Sequence, residues 1–139
     1  MSKKILNESI ELDFILIAIT APLKDYILCH KINKALDFDF SRVNDHEVLL
    51  ANRKKISFFS MFTQELKDFG REYVLLSNKG SDGFLIEDKK WVDYFFLIHG
   101  FIDDEDLNFI LMMLKKIPEI QSAALIDVRE IKSKNNLAM

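Results

Sequence analysis

Residues 12–20, LDFILIAIT, are almost uninterrupted apolar and rich in Ile, which predicts a strand covered on both faces. Pro22 fits the first position of a following helix, where its missing N–H costs nothing, and that helix is expected to run to Leu36. On a helical wheel Leu28, Cys29, Ile32, Ala35 and Leu36 share one stripe, while Lys24, Lys31 and Lys34 face away from it. Asp25 falls in the first turn, where a carboxylate complements the helix dipole. Strand candidates follow at 46–50, 55–62 and 73–78, with 64–69 a short helix or a wide loop. Turn chemistry fills 78–83, NKGSDG, and 84–86 is expected to answer the preceding strand across a hairpin. WVDYFFLIH, at 91–99, is the strongest strand signal in the chain. Gly100 breaks it, and Asp103 opens a second helix whose first turn carries Asp104, Glu105 and Asp106. Leu107, Ile110, Leu111, Leu114 and Ile117 form its core stripe; Lys115 and Lys116 close it and Pro118 ends it. A last strand is predicted at 121–126, followed by a charged tail from Arg129 that frays as a helix or extends as an arm.

This order, β-α, then several strands, then β-α-β, predicts an α+β fold: a two-layer sandwich of two main helices on a mainly antiparallel sheet. A ferredoxin-like plan with an inserted hairpin is the closest template. Composition narrows the class further. The chain has 139 residues, 49% hydrophobic and 29% charged, with only 4 Gly and 2 Pro, so it is expected to form one domain over 1–139 with 129–139 as its tail. A net charge of −3 disfavours nucleic acid as a partner. The lone Cys29 excludes an internal disulfide and a cysteine-based zinc site. No apolar run approaches the roughly 20 residues of a membrane helix, and the expected location is cytoplasmic, with no membrane partner.

The stretch Ile86-Glu87-Asp88-Lys89-Lys90-Trp91-Val92-Asp93-Tyr94 resembles the signature of the uncharacterised bacterial family named for its Ile-Pro-Glu-x-x-x-Val-Asp-Tyr motif. Val92-Asp93-Tyr94 matches as it stands, while Glu87 replaces the family's Pro and Asp88 its Glu. Leu23-Lys24-Asp25-Tyr26, with Leu28-Cys29 and Asn33-Lys34-Ala35-Leu36, is similar to the same family, as is the closing 131–137 stretch, IKSKNNL. The resemblance implies a single-domain bacterial protein and transfers no activity.

Candidate chemistry is sparse. Asp93 shares a strand face with Phe95, Leu97 and His99, but His99 lies about 20 Å further along, too far for a direct acid–base pair. Asp93 either fixes a polar group at a ligand cleft, or caps a turn or pairs with a nearby Lys at the sheet's end. His99 with Asp103, Asp104 and Asp106 offers metal-ligand types, but an acidic helix start is ordinary capping, so no metal and no cofactor is expected. His30 reads as solvated and His46 as an exposed strand start. No Gly-x-Ser-x-Gly, Walker or Gly-x-Gly-x-x-Gly loop is present, although the helix start at 20–24 could hold an anion beside Lys24. Phe58, Phe59 and Phe62 beside Arg53-Lys54-Lys55 suggest RNA stacking, yet lack the Gly of the RNP pattern. Twelve Phe and five Met exceed what a small core needs, and Phe109 and Met112 fall outside the core stripe, which points to an interface. The expectation is therefore a binding or interaction module, homodimeric, recognising a protein or small metabolite. Its ligand contacts would be Lys24, Asp25, Tyr26, Asp93 and Tyr94, and its interface Phe109 and Met112. A small enzyme with Asp93 or His99 as general base is the alternative, and an RNA-associated protein the third class.

Overall fold

The apolar run near the start of the chain becomes β1 (Ile15–Thr20), which lies between two other strands. Its side chains alternate between two buried faces, which is why no polar residue interrupts it before Thr20. In this computed structural model, which describes residues 13–50 and 54–139, seven further α-helices and strands follow. They are α1 (Asp25–Leu36), β2 (Ser41–Leu50), β3 (Lys55–Leu66), β4 (Arg71–Ser77), β5 (Tyr94–His99), α2 (Asp104–Lys115) and β6 (Ser122–Ile126). The strands form one sheet in the order β2-β3-β4-β5-β1-β6, and every pairing is antiparallel. The α+β class read from the sequence is the class observed. Because β1 pairs antiparallel with both β5 and β6, those two run parallel to each other and α2 is the crossover between them.

Both helices lie on one face. Leu28, Ile32, Leu107, Ile110 and Leu114 pack there on Ile17, Ile19, Leu75, Phe96 and Ile98. An aromatic group extends this core: Phe38 stacks on Tyr73 at 4.6 Å and Phe40 meets Phe96 edge-on at 5.7 Å. Asn33 steers the chain into it, its amide bonding both the N–H and the carbonyl of Phe40. The second face buries Leu16, Ala18, Phe59, Val74, Leu76, Phe95 and Leu97. No helix covers it. Instead the β4–β5 connection contributes Leu85, Ile86 and Val92, and the chain after β6 contributes Val128, Ile131 and Leu137.

Several boundaries differ from the periodicity. α1 begins at Asp25 rather than Pro22, because Lys24 is extended (ψ 155°) and the preceding backbone is tied to β5, as described below. β2 and β3 are longer than 46–50 and 55–62, since a bulge between Val43 and His46 lets the edge strand keep its pairing despite polar residues. Only Lys67–Phe69 of the 64–69 segment is helical, as a 3-10 turn. The hairpin expected at 84–86 reduces to one bridge between Lys79 and Phe84. Residues 128–139 form two short 3-10 turns laid across the sheet, held where Asn136 donates to the Leu85 carbonyl at 2.8 Å and its own carbonyl lies 2.7 Å from His46 Nε2.

Candidate functional site

The Val92-Asp93-Tyr94 stretch stands where β5 meets the turn from β1 into α1. Val92 points into the second core and is buried. Asp93 is bonded through its backbone on both sides: its N–H donates to Ile19 O, and its carbonyl accepts from Asn78 N–H. Its carboxylate accepts from Ala21 N–H at 2.7 Å. Tyr94 donates its hydroxyl to the Leu23 carbonyl. Pro22 lacks an N–H and sits in a tight turn closed by Leu23 N–H on the Ala21 carbonyl, and these two side chains satisfy backbone groups on either side of it. Burial first, then the nearby carboxylates of Asp25 and Asp93, push the Tyr94 phenol up to about 12, so it stays a donor at neutral pH. Asp93 and Tyr94 thus clasp one loop to one strand.

Lys24, Asp25 and Tyr26 gather at the same end, on the first turn of α1. Lys24 and Tyr26 are exposed. Asp25 lies 3.6 Å from Arg42 of β2, which also bonds Asp45 at 2.8 Å and sits over the Phe62 ring at 5.5 Å. The structure therefore brings the five expected residues together, with the polar atoms of Asp93 and Tyr94 already engaged by backbone and Lys24, Tyr26 and the Asp25–Arg42 pair facing outward. That arrangement can present charge and an aromatic ring at a surface.

Asn78 is a residue that the sequence pattern does not single out. It is wholly buried, and every polar group on it has a partner. Its side-chain amide donates to the Lys89 and Val92 carbonyls and accepts from Ile86 N–H, while its backbone carbonyl accepts from Leu85 N–H. It organises the whole β4–β5 connection. An Asn after a strand and before Gly reads simply as a turn, and nothing local marks it as a buried hub.

The other titratable groups have structural surroundings. Cys29 is buried in the helix-face core, and burial, with Asp25 nearby, raises its thiol to about 11, which keeps it protonated and unreactive. His99 ends β5 opposite Glu72, with its ring 5.1 Å from Phe14. Its Nε2 is buried without a partner, and burial lowers its pKa, opposed by Glu72. His30 is exposed on α1, and His46 is half-buried against the tail rather than an exposed strand start. Among the described residues no three His, Cys, Asp or Glu side chains are placed to hold a metal ion. None of the described helices is long and apolar enough to cross a membrane.

On α2 the buried stripe is Leu107, Ile110 and Leu114. Phe109 and Met112 lie opposite it, 51% and 48% exposed. Glu105 and Lys116 extend the same outer line toward the two ends of the helix and are exposed as well. Comparison with known proteins adds nothing to this geometry: no family model, no curated protein and no solved structure matches the chain. Neither the motif resemblance nor the ferredoxin-like template is assigned by them.

Proposed function

We propose that this chain is a non-enzymatic binding and interaction module of the bacterial cytoplasm that assembles as a homodimer through the outer face of α2 and recognises a protein or small metabolite. The observation that carries this reading is the symmetry of that face. Glu105, Phe109, Met112 and Lys116 follow one line along the helix at spacings of four, three and four, a coiled-coil seam in miniature. When two copies of such a line pack antiparallel about a two-fold axis, Phe109 of one faces Met112 of the other and Glu105 faces Lys116. Both apolar residues are then buried in the centre, and both charges meet an opposite charge at the rim.

The Lys24, Tyr26 and Asp25–Arg42 group is the ligand-facing part of this reading, with Asp93 and Tyr94 holding the loop that presents it. A general base at Asp93 has less support, since its carboxylate is spent on Ala21 N–H.

A native mass spectrum of gently purified protein, set beside its denatured mass, tests the proposal. The expected result is a dimer mass without an adduct. A monomer carrying a stoichiometric adduct lost on denaturation would contradict the dimer and place a small molecule or metal at the centre of the function instead.

A further inference from the structure

The two most exposed large apolar side chains among the described residues are Phe101 (77%) and Phe69 (71%), and neither belongs to the α2 face or to the α1 end. They stand on adjacent turns, one between β3 and β4 and the other between β5 and α2. A single guanidinium joins those turns. Arg71 donates from Nε to the Phe101 carbonyl at 2.9 Å, from Nη1 to the Tyr73 hydroxyl at 3.1 Å, and lies over the Phe69 ring at 5.9 Å. Its side chain is only 10% exposed. The turns also touch directly: a Cβ on Gly100 (φ +92°) would stand 2.2 Å from the Gly70 carbonyl oxygen, so only glycine permits the approach. Two phenyl rings are thus held out on a braced pedestal. Aromatic side chains displayed this way lose little freedom on binding and make effective interface anchors.

Among the described residues, the charges on these two segments are mostly acidic. Within 67–72 and 100–106, leaving aside Glu105 of the α2 outer line, stand Asp68, Glu72, Asp103, Asp104 and Asp106, against Lys67 and Arg71. Arg71 is already committed, lying 3.8 Å from Asp106. Helix capping accounts for Asp103, which accepts from Asp106 N–H, but not for the aromatic pair beside it. A field of this sign repels phosphate and anionic lipid, and the face of a phenyl ring attracts cations.

We infer that the Phe69–Phe101 end docks a basic, Arg- or Lys-rich segment of a partner protein. The rings take its apolar side chains and cationic stems, and the surrounding carboxylates take its charges. This deepens the interaction-module reading and is independent of the α2 dimer.

The test is fluorescence anisotropy with a labelled, alternating Arg-Leu peptide and the full chain at low salt, with a Glu-Leu peptide as control. The wild type is expected to bind the basic peptide and not the acidic one. Phe69→Ser with Phe101→Ser, which leaves the charge unchanged, should weaken binding about tenfold or more. Asp68→Asn with Asp104→Asn should weaken it several-fold, and Leu49→Ser, an exposed apolar residue on the edge strand β2, should leave it unaltered. No binding, or binding that the double Phe variant retains in full, would overturn the inference. So would Phe-dependent association with phosphatidylcholine vesicles in place of the peptide, which would make these rings a lipid contact. A failure of the native dimer leaves this experiment untouched, so the two proposals fail separately.

Discussion

Single residues in this fold matter through the backbone groups they satisfy. Asn78 is the clearest case: replacing it with Ala strands Ile86 N–H and the carbonyls of Lys89 and Val92 inside the protein. Each stranded group costs about 1–3 kcal/mol, so Asn78→Ala should lose about 3 kcal/mol or more in denaturant unfolding. Asp93 acts on a smaller scale. Asp93→Ala leaves Ala21 N–H unpaired and should cost about 2 kcal/mol, whereas Asp93→Asn keeps an acceptor and should cost less than half of that, measured the same way. If Asp93 contacts a ligand instead, both substitutions would abolish binding with little change in stability. His99 adds a pH dependence. Its folded pKa is lowered from its ordinary value near 6.5 by burial, so the unfolded chain takes up the proton more readily. The stabilising contribution of the neutral ring is present above pH 6.5 and is lost as pH falls below it. Thermal midpoints should therefore decline between pH 7 and pH 5.5, and His99→Phe should flatten that part of the profile.

At the level of elements, the chain was readable where one period dominates. β1 and the core of β5 announce themselves as apolar runs, and the stripes of α1 and α2 follow the helical period, because each of these elements is packed along its whole length. The start of β5 was not readable: Trp91-Val92-Asp93 has strand-forming letters, but Val92 N–H closes a turn onto Lys89 and the strand begins only at Tyr94. The five residues expected to form a site do converge, yet the use of Asp93 and Tyr94 as a clasp depends on contacts more than seventy residues away along the chain, which no local pattern carries. Phe69 and Phe101 carry a signal, a large apolar residue set beside Gly among carboxylates, but it does not stand out among twelve phenylalanines. The tail shows the same limit. Its charges suggested solvent, while its own Ile131 and Leu137 turn inward and close the face opposite α1 and α2. Ile131→Ala should therefore cost about 2–4 kcal/mol in denaturant unfolding, against less than about 0.5 for its exposed neighbour Lys132→Ala.

For the molecule as a whole, one face of the sheet carries α1 and α2 and the other is closed by loop and tail, and among the described residues the outward surface of α2 stays exposed at Phe109 and Met112. In the proposed dimer this surface forms a two-fold contact whose rim depends on Glu105 meeting Lys116 of a second copy. Exposed ion pairs are worth up to about 1 kcal/mol, and the symmetric contact has two of them. Sedimentation velocity across a concentration series, run on Glu105→Lys, on Lys116→Glu and on the two combined, tests this most directly. Each single reversal should weaken the dimer about tenfold, and the combined swap should restore most of the lost affinity. A monomeric wild type, or single reversals that leave the dimer as tight as before, would contradict it.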